Sequence, residues 1–465
     1  MKIFILILVF HSIIFSNIYL LTFNFQEKES KSLFLINSST FSLSNQFILK
    51  DIWNKTIGGD QIDVARSITR SKLGGYAITG WTNSSGKGNY DIYVLRISDN
   101  GTIIWNQTFG STGEDQGYQI IESGPSNFAI SSTFINETAL FPNSDFLVIK
   151  MLDNGTLMWN RTYSGPEQTS TSMVGDLGRS IVECSNGDLA LAGVTVTNTG
   201  HSDVWLFRVS PLGIKKWERT YHNLDIDRCY TPHSLIECSN GDFAIACYTY
   251  NSTKSNDVWL IRTDQFGNPK WNKTFGSDGY ERPEALIECQ NGDFAIIGNT
   301  KGFGAGGQDA WLIRTDPFGN QLWNKTYGGI EEDKASQIVE MLDGGFTIVG
   351  TTHSFDIGQG DGWIIRTDSF GNVIWNLTIG TINGDGLNSL VSLGNGSYVL
   401  AGITHEFGEV LSDIWIIKIQ VSEAESDSYA NNLIKGYELL ILIITPILLI
   451  SIIYYRMTKK NKIIQ

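Results

Sequence analysis

Seven carboxylates recur through this chain at nearly one spacing: Asp63, Asp115, Asp176, Asp227, Glu281, Asp333 and Asp385. Each sits in a loop that leads into a short apolar run, beside glycine-rich stretches such as Gly302-Phe303-Gly304-Ala305-Gly306-Gly307. A repeated fold would carry all seven to one face. Oxygens gathered that way suit Ca2+, a hard cation that takes about six to eight oxygen ligands, or the hydroxyls of a polar glycan. The plainer chemistry is local: each carboxylate accepts hydrogen bonds from its own loop backbone and holds the turn. Seven near-identical copies favour the local role. The acidic field around them exists in either case.

The remaining reactive side chains are sparse. Cys184, Cys238 and Cys289 share one repeat position, Glu-Cys-x-Asn-Gly. They lie a whole unit apart, beyond the Cα separation of about 4.4–6.8 Å that a disulfide needs, and read as small buried hydrophobes. Cys229 and Cys247 fall at the start and end of paired strands in one unit, where a disulfide is possible. No Cys-x-x-Cys or His-x-x-x-His spacing occurs. His353 and His405 are repeat-equivalent and read as solvated loop residues.

The elements that must position these groups are set by tryptophan. One series is Trp53, Trp105, Trp159, Trp217, Trp271, Trp323 and Trp375, with spacings of 52, 54, 58, 54, 52 and 52. A second, in Asp-x-Trp-hydrophobic, is Trp205, Trp259, Trp311, Trp363 and Trp415, with Tyr93 and Leu147 filling the slot in the first two units. Each unit contains four strand signals, two of them joined by turns such as Gln290-Asn291-Gly292 and Asp264-Gln265-Phe266-Gly267. Asn-Gly accepts the positive φ that tight hairpins demand. Four short strands per unit, repeated radially, predict an all-β fold: a seven-bladed β-propeller of four-stranded blades. The hairpins fix the phase, so that Trp53 precedes the first complete blade and the last blade lacks its outer strand. The N-terminal strand near Phe47 to Ile57 is expected to complete it and leave no exposed edge.

Asp264-x-x-Gly267-x-x-x-Trp271, repeated from Asp316 and Asp368 and with serine at Ser210, resembles the repeat of quinoprotein-type (PQQ-like) propellers, one residue shorter in the turn. The whole unit is similar to repeats of secreted prokaryotic propeller proteins, archaeal ones included, over about residues 46 to 420. The resemblance implies the fold and a surface location, and a blade-docking role for the first tryptophan series. It does not extend to quinone chemistry: the enzymes of that family carry eight blades and a vicinal cysteine pair, and this chain has neither.

The ends set the compartment. Residues 1–24 read as a signal peptide or signal anchor and 25–45 as a linker; the propeller occupies 46–420. A polar stalk follows at 421–438, then an uncharged run at 439–455 long enough to cross a bilayer, then a basic tail at 456–465. The positive-inside rule places that tail in the cytoplasm and the repeats outside, as a single-pass membrane protein. A net charge of -14 with a pI near 4.9 argues against nucleic acid. Of thirteen Asn-x-Ser/Thr sequons, Asn83, Asn136 and Asn251 fall in long loops and are the glycosylation candidates. The functional expectation is a membrane-anchored extracellular binding, adhesion or surface-interaction module that contacts a protein or glycan. The alternative is a surface carbohydrate-active hydrolase or lyase using carboxylates at the channel mouth. No catalytic residue and no certain cofactor, Ca2+ aside, can be read from the sequence.

Overall fold

The computed structural model describes residues 18–19, 35–37, 47–136, 143–166, 175–196, 201–223, 226–251, 254–356, 358–405 and 411–423. Among these residues the chain is built from strands and turns, with no helix long and apolar enough to cross a membrane. The expected spanning run at 439–455 lies outside the described residues.

Seven four-stranded antiparallel units follow one another: I (63–109), II (116–163), III (177–221), IV (226–275), V (281–327), VI (333–380) and VII (385–423). Unit VII has only three consecutive strands, and its fourth is Phe47–Ile57, hydrogen-bonded beside Asp413–Glu423. Two short strands, Ile18–Tyr19 and Leu35–Asn37, extend the edge of unit VI. One parallel bridge, Ser202 to Ile226, links units III and IV.

The first strand of each unit packs against the first strand of the next, and that of VII packs against that of I. Two contacts carry this last junction: Ile68 N donates to Ser389 Oγ at 3.1 Å and Asn388 Nδ2 to Ala65 O at 2.8 Å. No single sheet closes on itself among the described residues. This arrangement of repeated antiparallel sheets is consistent with a β-propeller.

The chain divides into two compact units of its own, one including Asp51–Ile419 and the other Ser42–Lys50 with Gln420–Gln465. The described part of the second consists of strand ends only.

Alternation puts aliphatic side chains between neighbouring sheets. One core joins Ala295, Ile297 and Leu312 of unit V to Ile338, Ile348 and Trp363 of unit VI, and similar cores fill the other junctions. The outer-strand tryptophans act differently. Trp105 lies on the glycine turn of the next unit at Gly155, Trp159 on Gly213, Trp217 on Gly267, Trp271 on Gly319 and Trp323 on Gly371. Trp53, from the N-terminal strand, lies in the same way on Gly101 of unit I. Trp105 and Trp159 also donate Nε1 to turn carbonyls, at Asp153 and Pro211.

Glycine is required at these turns on two counts. At Gly267 φ is +77°, and a Cβ would stand 2.8 Å from the Trp217 ring. Gly267→Ala is therefore expected to cost about 1–3 kcal/mol. Urea unfolding should show a lower midpoint at unchanged slope; an unchanged midpoint would show that the tryptophan seat is dispensable.

Candidate functional site

The seven repeated carboxylates stand at or beside the start of each first strand, and all are at most 3% exposed. In six units the backbone N–H four residues earlier donates to the carboxylate: Gly59 to Asp63 at 2.9 Å, Ser111 to Asp115 at 2.5 Å, Asn223 to Asp227 at 2.6 Å, Ser277 to Glu281 at 3.1 Å, Gly329 to Asp333 at 2.7 Å and Thr381 to Asp385 at 2.5 Å. Asp176 takes the corresponding bond from Gly165 across a longer loop. Each carboxylate thus braces the loop ahead of its strand, in the manner of an Asx turn.

A second carboxylate series, the aspartate of Asp-x-Trp, meets the first at the junctions between units. Between Asp91 and Asp115 stands Gly110, where a Cβ would lie 2.0 Å from Asp91 Oδ1 and 3.0 Å from Asp115 Oδ2. Gly276, Gly328, Gly380 and Gly58 hold the same place between Asp257 and Glu281, Asp309 and Asp333, Asp361 and Asp385, and Asp413 and Asp63. Only a residue without a side chain lets both carboxylates approach so closely. Burial is the largest cause that pushes Asp115, Asp176, Asp309 and Asp385 above the ordinary carboxylate range.

At the III–IV junction His222 replaces the glycine. Its Nδ1 lies 3.0 Å from Asp203 Oδ1 and 3.4 Å from Asp227 Oδ2. Asp203, His222 and Asp227 are the one group among the described residues with three ligand atoms close enough to share a metal ion. Two carboxylates and an imidazole suit a borderline divalent cation as well as Ca2+.

The first strands also bring together residues that the repeat does not share. Each carries a β-bulge three residues after its carboxylate, and the bulged residue is Arg66 in I, Tyr118 in II, Arg179 in III, Glu284 in V, Ser336 in VI and Asn388 in VII. A bulge re-aims its side chain out of the strand alternation. Unit IV departs further. Its segment from carboxylate to aliphatic is three residues longer (227 to 235, against 63 to 68), and it places Tyr230 and His233 here. His233 adopts φ 63°, a left-handed backbone rare outside glycine, held by the bond from its N–H to Gln119 Oε1 at 3.2 Å.

Aromatic rings and cations interleave within this cluster. The Arg179 guanidinium carbon sits 3.8 Å from the Tyr118 ring centre and 5.5 Å from that of Tyr230, and Arg228 lies 5.1 Å from Tyr230. Arg66 lies 5.7 Å from Trp81. Glu284 Oε1 accepts from Asn299 Nδ2 at 3.1 Å and faces Arg282 Nε at 3.3 Å without hydrogen-bond alignment. Gln119 Nε2 donates to His233 Nδ1 at 3.1 Å, which leaves the ring proton on Nε2. Burial, then the charge of Arg66, holds that imidazole neutral, with its pKa pulled down to about 4. Burial likewise pushes the Arg66 and Arg179 guanidiniums below their ordinary value.

A cavity of about 650 Å³ lies elsewhere, along the outer strands of units I to III by Phe134, Arg161 and Lys215, and neither carboxylate series lines it. His353 and His405 each hydrogen-bond a backbone carbonyl through Nδ1, Glu332 O and Gly384 O. Cys184, Cys238 and Cys289 are buried, and burial raises each thiol to about 12. The Cys229 and Cys247 sulfurs face each other at 2.6 Å, both buried, and are thiols in this structure. Asn83 is half-buried and its N–H donates to Ile62 O. Asn136 and Asn251 end their strands, with side chains outside the described residues. The bulge cluster went unread in the sequence. Its signal was there, as a break in the repeat at the third residue after each carboxylate, together with the insertion in unit IV.

No protein-family profile matches this chain, and no curated protein matches it by sequence. Among solved structures, β-propeller-type proteins are similar at low identity. A polysaccharide lyase, Uly1, is 10% identical over 78% of this chain and 90% of its own, with a TM-score of 0.47. A puromycin hydrolase is 11% identical over 74% of this chain, with a TM-score of 0.46, and this chain spans about half its length. A glucose dehydrogenase is 11% identical over 81% of this chain and all of its own, with a TM-score of 0.41. Likeness at this level says nothing of activity.

Proposed function

We propose that the seven units are the blades of a seven-bladed β-propeller, closed by the strand Phe47–Ile57, and that it acts outside the cell as a membrane-tethered binding module. Its ligand contacts are assigned to the first-strand bulge residues. The observation that carries this reading is where the repeat breaks. Braces, turns and tryptophan seats recur from unit to unit, whereas the bulge position reads Arg, Tyr, Arg, Tyr, Glu, Ser, Asn around the ring. A scaffold that repeats everywhere except at one converging position has specialised that position for recognition.

The hydrolase or lyase alternative requires an acid/base carboxylate pair peculiar to one place. The carboxylate pairs here recur at junction after junction, and the bulge cluster contains a single carboxylate, Glu284. That balance supports binding. A glycan array probed with the full-length protein tests it directly: wild type is expected to retain a defined ligand set that Tyr118→Ala and Tyr230→Ala lose. Turnover of an array ligand by wild type would transfer the assignment to the enzyme reading.

The tether is a separate proposal, supported by the uncharged run at 439–455 and its basic flank. Protease applied to intact cells is expected to release the repeats and leave the tail after Arg456 protected. Release of the intact protein by high salt alone would reject a spanning anchor. In an oxidising space Cys229 and Cys247 are proposed to join as a disulfide, visible as a linked peptide pair by mass spectrometry.

A further inference from the structure

We infer that the bulge cluster is a receptor for one oxyanion group, a carboxylate, sulfate or phosphate, on the ligand that the binding module recognises. This rests on the binding reading and adds the chemistry of the ligand.

Arg66, Arg179 and Arg282 converge from three different units onto a centre whose one carboxylate is Glu284. Coulombic coupling links Arg66 and Arg179 to Arg282 and to each other, so the three cations share one space. They do so in a chain of net charge -14, where a cationic centre is contrary to the overall balance. Arg179 is 8% exposed, and its Nε has no hydrogen-bond partner. The Nε of Arg66 and the Nε2 of His233 are buried and unpartnered as well.

Leaving such donors unmet is costly, more so when they are charged. A second cost is the mutual repulsion of the guanidiniums. An oxyanion removes both: its oxygens accept from the guanidinium edges and from His233 Nε2, and its charge offsets the excess of cations. His233 fits the role because Gln119 fixes its tautomer as a donor on the open side, and because it stays neutral at physiological pH. Tyr118 and Tyr230, already stacked on Arg179, hold that guanidinium plane in place.

The test is thermal unfolding of the full-length protein at low ionic strength with glucuronate, sulfate, phosphate or glucose. Full-length Arg66→Met and Arg179→Met proteins are compared, with Arg219→Met, on an outer strand, as the control. Sulfate and phosphate stabilise many proteins nonspecifically, so the readout is the gain in wild type and Arg219→Met beyond that in the two cluster variants. At an anion concentration 100 times its Kd, the folded-to-unfolded ratio should rise about 100-fold, and that rise should disappear in Arg66→Met and Arg179→Met. Arg66→Met should also melt no lower than wild type without anion, since it removes a repelled cation. A specific gain with glucuronate alone assigns the oxyanion to a sugar carboxylate; a gain with sulfate or phosphate as well assigns the free group. An equal gain in the cluster variants, or none from any anion, overturns the inference. Retention of neutral glycans on the array, unaffected by Arg66→Met, would also overturn it while leaving the binding module standing.

Discussion

Removal of residues 46–57 is expected to abolish the cooperative melting of this protein and drive it into aggregates. The strand Phe47–Ile57 is the fourth strand of unit VII, so its loss strips the hydrogen-bonding edge of Asp413–Glu423. An open edge of that length, carrying Ile414, Trp415, Ile416 and Ile417, templates pairing with other chains. The deletion also removes Trp53, which covers Gly101 of unit I and packs with Ile57 on the core shared by units VII and I. Emptying a tryptophan site costs about 3–5 kcal/mol, against a total stability of about 5–15 kcal/mol for a typical domain. Gel filtration and calorimetry of the truncated protein give the answer. A monomer that melts like wild type would mean that unit VII is complete without its N-terminal strand.

Mild acid is expected to raise the melting temperature, and calcium to mimic it at neutral pH. Burial raises Asp115, Asp176, Asp309 and Asp385 above the ordinary 3.8, with Asp91 adding to the effect at Asp115 and Asp333 at Asp309. A carboxyl raised on folding binds more protons folded than unfolded between its two pKa values. The penalty is therefore absent below about 3.8, grows as pH rises through the folded values and is complete above them. Each pKa unit is worth about 1.4 kcal/mol. Asp188 and Asp343, which lysine and arginine partners hold below the ordinary value, act in the opposite sense and lose their contribution only in stronger acid. A divalent cation between the paired carboxylates would relieve the same penalty without protons. Calorimetry from pH 7.5 down to 5, with and without millimolar Ca2+, should show a rise on acidification and a calcium gain largest at pH 7.5. Changing Asp63, Asp333 and Asp385 together to Asn should shrink that gain. A melting temperature that falls steadily from pH 7.5 to 5 would refute the carboxylate account, and a calcium gain that survives the triple change would place the cation at another site such as Asp203, His222 and Asp227.

Much of the architecture was legible because its determinants are local and repeated. Asn-Gly and Asp-x-x-Gly turns state their own backbone conformation, and seven tryptophans at one spacing state the unit. The orphan Trp53 even located the missing strand of unit VII. The role of the carboxylates was harder to read, because a buried brace and a cation ligand use the same residue at the same spacing. The first series was visible, yet its partners in Asp-x-Trp were not. Asp91 and Asp115 are 24 positions apart in the chain, and only the glycine between them in space shows that they share a junction.

The sequence by itself determined the repeat, the strand pairing and the polarity of each unit, since hairpin turns and hydrophobic alternation act over a few residues. Tertiary structure alone decided what stands at the centre. Arg66, Tyr118, Arg179, Tyr230, His233 and Glu284 come from five different units, and no local pattern links them. They meet because the first strands pack side by side around a ring and because each bulge turns one side chain out of its strand. Repetition made the scaffold readable, and the departures from it acquire meaning only where the strands converge.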